Sequence, residues 1–177
     1  MKDLIKYPLS NDDIHKILRN VKIITYPELA QYKTIEELLP QEFSCVVILV
    51  LEKPNEGHWT GLLRYSNIFE FFDSYGNPVD YDLTHWLDES KRSQLNESTL
   101  YLTNLLKGRK HIYNKIKYQS MKASVSDCGA HVSYRLYKFK NDGMTLSEYQ
   151  KHIKNLCKLY GTTADQIVTE FISNWIN

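Results

Sequence analysis

Cysteine is scarce in this 177-residue chain: three residues, at positions 45, 128 and 157. So few, odd in number and widely spaced, they build no disulfide framework and fit a reducing intracellular compartment. The sequon Asn96-Glu97-Ser98 then meets no glycosylation machinery. Glycine is also sparse (7 residues), and no internal repeat or low-complexity segment interrupts the chain. Neither charge dominates, with 22 basic and 21 acidic residues and a net charge of +1. Whole-chain electrostatics therefore nominate no acidic partner, and nucleic-acid binding would need a local patch. The longest apolar run, Val46 to Leu51, is too short to cross a bilayer, and the N-terminal residues lack the apolar stretch of a secretory signal. What remains is ordinary for one folded domain over residues 1–177: 42% hydrophobic and 24% charged residues.

Periodicity and turn chemistry predict the elements. Ser10 to Val21 reads as a capped helix with Ile14, Ile17, Leu18 and Val21 on one face. A helical turn follows at Thr34 to Leu39, stopped by Pro40. Phe43 to Glu52 is a continuous apolar, β-rich run, the pattern of a strand buried on both faces. His58–Tyr65 and Ile68–Phe72, parted by Ser66-Asn67, suggest a hairpin. After the break at Ser74–Pro78, a helix is expected at Glu97–Leu106, capped by Asn96 or Ser98, and a strand at His111–Gln119. Helices are then expected at Cys128–Lys138, Leu146–Tyr160 and Thr163–Ile176. Helices, a central sheet, then helices place the chain in the α+β class.

Cys128 occupies the start of one of these helices, within Ser126-Asp127-Cys128-Gly129-Ala130-His131. A helix N-terminus offers free amide N–H groups and the positive end of the helix dipole, both of which favour a thiolate. Position alone nevertheless leaves a buried structural cysteine as the commoner reading. Cys45 within the apolar strand and Cys157 within a helix read as packing residues. His58 follows Gly57 at a strand start, and Asp73 ends the next strand. Adjacent antiparallel strands would bring the two side chains near each other.

Taken in order, Gly57-His58-Trp59, Phe72-Asp73-Ser74-Tyr75-Gly76, Gln119 and Asp127-Cys128-Gly129 resemble the adenain and SUMO-protease (ubiquitin-like protease) superfamily of cysteine peptidases. The resemblance spans about Phe43 to Lys138. It is nearest in look to the maturation proteases of double-stranded DNA viruses and virophages. It implies a papain-like fold of the adenain type, with a mixed or antiparallel sheet flanked by helices. It further implies Cys128 as nucleophile, His58 as general base, Asp73 as the residue that orients the base, and Gln119 as an oxyanion donor. Trp59 and Gly129 would serve substrate binding, with core packing the alternative for Trp59. One spacing departs from the pattern: Gln119 stands nine residues before Cys128, longer than usual in the superfamily, through the loop Ser120–Asp127.

The expected activity is that of a thiol endopeptidase without cofactor or metal. It would cleave viral capsid or core precursors at sites with small residues, typically glycine, before the scissile bond. Deconjugation of ubiquitin or a ubiquitin-like protein is the alternative. An acetyltransferase on the same fold lacks recognisable inositol-phosphate and acetyl-CoA signatures, and a zinc site lacks any C-x-x-C or H-E-x-x-H pair. A protein substrate, no membrane and a monomeric chain are expected, located in the virion or host cytoplasm if viral. The lysines and arginine of Lys107–Lys122 form the one stretch where nucleic acid could bind, although a solvated basic face is the simpler reading.

Overall fold

The computed structural model describes residues 3–122 and 124–176; Met1, Lys2, Ala123 (in the loop before Cys128) and Asn177 lie outside them. The sheet has five strands, β1 (Lys22–Thr25), β2 (Ser44–Lys53), β3 (Glu56–Tyr65), β4 (Ile68–Phe72) and β5 (His111–Tyr113), ordered in space as in sequence. β2, β3 and β4 form an antiparallel meander, whereas β1 joins β2 and β5 joins β4 in parallel. The class is α+β with a mixed sheet.

Both faces of the sheet are covered, as the unbroken apolar run of β2 requires. Val47, Leu49, Trp59, Leu63 and Phe72 pack with α1 (Asn11–Ile17), α6 (Cys128–Asp142), α7 (Leu146–Tyr160) and α8 (Ala164–Ile172). Val46, Ile48, Val50, Leu62 and Phe71 pack with α2 (Ile35–Leu38), α3 (Tyr81–His85), α5 (Tyr101–Leu106) and the 3-10 turn Tyr26–Gln31. Each fully buried Leu, Ile or Phe contributes about 1.5–3 kcal/mol over leaving it exposed. A further short helix, α4 (Glu89–Gln94), links α3 to α5. Ser10 with Asp13 forms the expected capping box and Gly161 closes α7; Thr145 with Glu148 and Thr163 with Gln166 form two further boxes.

The helix expected to run to Val21 ends at Ile17, and the one expected to run to Ile176 ends at Ile172; two further expectations are corrected. The strand expected at His111–Gln119 ends at Tyr113, because the Asn114 side chain bonds the backbone of Asp73 and Lys115 takes a left-handed φ of 55°. The helix expected from Glu97 begins at Tyr101 with Leu100, not Asn96 or Ser98, at its cap. Glu97 instead turns inward and accepts the amide N–H of Leu51 at 2.7 Å. β1, α3 and α4 were not foreseen; each is too short to show a period.

A buried ion pair ties α6 to the sheet. Arg135 donates from Nε and a terminal nitrogen to the two carboxylate oxygens of Glu70 on β4, at 2.9 and 2.7 Å, and both side chains are wholly buried. Tyr65 donates its hydroxyl to the same carboxylate at 2.7 Å and accepts the N–H of Leu146 at the start of α7. Sheet, α6 and α7 thus share one polar network.

Candidate active site

β3 and β4 deliver the base and its partner. His58 stands near the start of β3, paired with Val50, and Asp73 follows the last residue of β4. The imidazole Nε2 and Asp73 Oδ1 are 2.8 Å apart, with both side chains almost fully buried. Asp73 is itself fixed. Its Oδ1 accepts the N–H of Tyr75, its own N–H donates to Asn114 Oδ1, and its carbonyl accepts from Asn114 Nδ2. Asn114 was missed by the sequence reading, because its partner lies 41 residues away.

Cys128 is the first residue of α6, a 15-residue helix, and is half-buried. Its side chain lines the same hollow as the His58 ring, and the two groups interact electrostatically. Burial pulls the His58 pKa down, but the hydrogen bond and charge of Asp73, joined by those of Cys128, outweigh it. The imidazole is held well above its usual 6.5. Burial disfavours ionisation of the other two thiols. Burial pushes Cys45 up to about 11, and burial with the nearby Asp165 raises Cys157.

Gln119 reaches the same place despite its long spacing. Its backbone N–H and that of Tyr118 both donate to the Ser74 carbonyl, and the Ser74 hydroxyl donates to Gln119 Oε1 at 2.6 Å. With the amide oxygen occupied, the amide nitrogen is the end left for another partner. Ser74 therefore sets the amide's orientation, a role its place beside Asp73 did not reveal. Asp165 on α8 accepts the N–H of Ser120, the residue after Gln119, and the Nε2 of His131 on the first turn of α6. One carboxylate thus ties the Gln119 segment to the Cys128 helix.

Cys128, His58 and Gln119 line one hollow of about 300 Å³. Tyr75 stacks on the imidazole with centroids 5.1 Å apart, and Trp86 meets it edge-on at 6.0 Å. A second hollow of about 670 Å³, walled by Pro8, Leu9 and Trp59, shares Glu52, Gly57 and Ser126 with the first. A Cβ at Gly57 would stand 1.9 Å from the Val50 carbonyl, so no other residue fits there.

Trp59 and Gly129 sit on the side of β3 away from the His58 ring. Trp59 points to the opposite face of β3 from His58 and is buried, its indole N–H donating to the Leu9 carbonyl at 2.9 Å. It borders the larger hollow; the aromatic walls of the base are Tyr75 and Trp86. Gly129 is buried, and the space its Cβ would take is filled by Leu9 and Trp59 at 2.9 and 3.0 Å. Its missing side chain serves that packing and leaves no room beside it for a substrate backbone.

Among the described residues two groups, His58–Asp73–Asp82 and Asp127–His131–Asp165, are compact enough to chelate a cation. In each, the histidine Nε2 is engaged with a carboxylate, and the second His58 nitrogen is the one left for Cys128. No described helix is long and apolar enough to cross a membrane.

No protein-family profile matches the chain. It is 35% identical over 176 residues to the uncharacterized protein V9 of Sputnik virophage, covering 96% of this chain and 98% of that protein.

Proposed function

The chain belongs to the family of the virophage protein V9, and from that premise we propose that it is a cysteine endopeptidase of the adenain/SUMO-protease superfamily, with a papain-like fold. One observation carries the reading. A cysteine at a helix N-terminus faces a buried histidine already held by an aspartate, with an oriented glutamine amide in the same hollow.

The steps follow from these positions. His58 takes the Cys128 proton, giving a thiolate–imidazolium pair that the Asp73 charge stabilises. The thiolate attacks the scissile carbonyl carbon, and the oxyanion accepts hydrogen bonds from the Cys128 N–H and the Gln119 amide. The imidazolium gives its proton to the leaving amine, and the acyl group stays on sulfur as a thioester. Water, deprotonated by His58, then attacks the thioester, releasing the carboxylic acid and restoring the thiol. Substrate chain can run from one hollow to the other past Gly57 and Ser126.

The substrate class we propose is a viral capsid or core precursor cut after small residues during virion maturation, in keeping with the viral origin that the virophage relative suggests. Deconjugation of a ubiquitin-like protein is the second reading. Incubation with virophage structural precursors and with ubiquitin-like fluorogenic conjugates separates them. Processing of a precursor at a glycine-containing site is the expected result, and turnover of the conjugates alone sinks the maturation reading.

Gln119→Ala should lower kcat by about 10²–10³-fold with little change in KM. Ser74→Ala, which frees the amide to turn, should cost about five- to tenfold, the worth of one hydrogen bond. If Ser74→Ala matches wild type while Gln119→Ala does not, the orienting role of Ser74 is wrong. Because the His58 pKa is raised, its cationic form persists above the usual 6.5. The kcat/KM profile should therefore hold well past that pH and fall only as pH rises through the elevated value. A decline centred at 6.5 would contradict the ion pair.

A further inference from the structure

We propose that Asp82 is a second carboxylate of the catalytic centre, a positioning residue that holds the His58 imidazolium through its charge and extends the working range toward alkaline pH. The inference rests on the reading of Cys128 and His58 as nucleophile and base.

Three observations carry it. His58, Asp73 and Asp82 each bring a polar side-chain atom within 4.8 Å of the others, and all three are buried. His58 and Asp73 spend theirs on each other, but neither carboxylate oxygen of Asp82 has a hydrogen-bond partner. A buried acid left unpaired destabilises a fold. Finally, the local chain is braced to put it there. Asp80 takes a left-handed φ of 60° at the entry to α3, and its side chain is clamped by Tyr26 at 2.7 Å and by Thr103 at 2.6 and 2.9 Å. The Asp82 carbonyl accepts the N–H groups of Trp86 and Leu87. The same turn thus supplies both a carboxylate and the Trp86 ring to His58.

The charges around Asp82 set its direction. It faces His58 from β3, Asp73 from the end of β4, Glu52 from β2, and Asp80 beside its own helix. Glu97, ahead of α5, also feels its charge. Burial foremost, with the three acidic neighbours, pushes its carboxyl up to about 7, although the His58 charge pulls it down. Asp82 is therefore largely neutral under mildly acidic conditions and ionised above neutrality. Once ionised, its charge adds to that of Asp73 beside the His58 ring.

The test is the pH dependence of Cys128 alkylation by iodoacetamide, which needs no substrate, read beside the 15N shifts of the His58 ring. For Asp82→Asn, an isosteric change that removes an unpaired buried charge, the alkaline midpoint of both readouts should fall by about one pH unit, with the acidic limb unmoved. Melting checks the fold and its sign. The folded-state pKa of Asp82 is raised, so its ionisation subtracts stability as pH climbs from the ordinary carboxylate range to about 7. Asp82→Asn should therefore gain more melting temperature at alkaline than at acidic pH. Coincident alkaline midpoints in variant and wild type overturn the proposal while leaving the nucleophile assignment standing. If wild type shows no accelerated alkylation that Cys128→Ala removes, the protease reading fails and the inference with it. Should the variant not fold, wild-type NMR decides. The Asp82 carboxyl 13C shift should titrate near neutrality with a matching inflection in the His58 ring, and an Asp82 that titrates as an ordinary carboxylate overturns the idea.

Discussion

Cys128→Ala should abolish peptide hydrolysis, lowering kcat by on the order of 10⁶, the scale on which deletion of a protease nucleophile acts. The fold should survive, because the side chain is only half-buried, lining a hollow at a helix start and touching the core from its edge. The other two cysteines are internal controls. Cys45 lies on β2 with its thiol pushed up to about 11, and Cys157 sits near the end of α7 with its thiol also raised. Neither lines the hollow that holds His58, so Cys45→Ala and Cys157→Ala should keep wild-type turnover per folded molecule. His58→Ala should be nearly as damaging as loss of the nucleophile, since thiol and imidazole act as one unit. The measurement is single-turnover cleavage of whichever precursor or conjugate proves to be a substrate. Hydrolysis that persists in purified Cys128→Ala ends the central claim.

Glu70→Ala should be the most destabilising single change outside the apolar core, costing about 3–5 kcal/mol. The reason is asymmetry. Removing the carboxylate leaves the Arg135 guanidinium buried with no counter-charge, although Tyr149 lies beneath it at 5.0 Å from the ring centroid. One of its terminal nitrogens already lacks a partner. The Tyr65 hydroxyl also loses its acceptor. Against a typical total of about 5–15 kcal/mol, such a loss brings the chain near its unfolding threshold. Urea denaturation monitored at the tryptophans measures it. A double change, Glu70→Leu with Arg135→Met, should recover most of the stability, because the buried pair is replaced by apolar groups of similar volume. A single Glu70→Ala that costs under about 1 kcal/mol would show that water reaches the pair. Arg135 lies about two turns after Cys128 on α6, so partial loss of activity should accompany the loss of stability.

How much of this could be read from the chain varies with the distance over which each feature is decided. The capped helices, the β2 run and the hairpin of β3 and β4 were legible, because capping and periodicity act within a few residues. His58, Asp73, Gln119 and Cys128 were legible as ordered motifs, and the structure brings the four together. The departures share another cause. Asn114 closes the expected strand early because it is bonded to a residue 41 positions away, and Glu97 leaves its expected helix to meet Leu51, 46 positions away. Gly129 looked like space for a substrate until Leu9, from far upstream, was seen to fill it.

The sequence by itself determined the α+β class, the Ser10 cap and the Gly161 stop, the buried central strands and the identities of the residues at the candidate site. Those follow from local propensity, side-chain period and residue chemistry, all properties of neighbours along the chain. Only the tertiary structure decided which aromatics wall the base, that Ser74 turns the Gln119 amide, that Glu70 and Arg135 pair inside, and that Asp82 stands unpartnered beside His58. Each of these depends on strand register and helix docking, which set residues far apart in sequence at contact distance. Once water is excluded there, the partner a polar group finds, or lacks, fixes its energy.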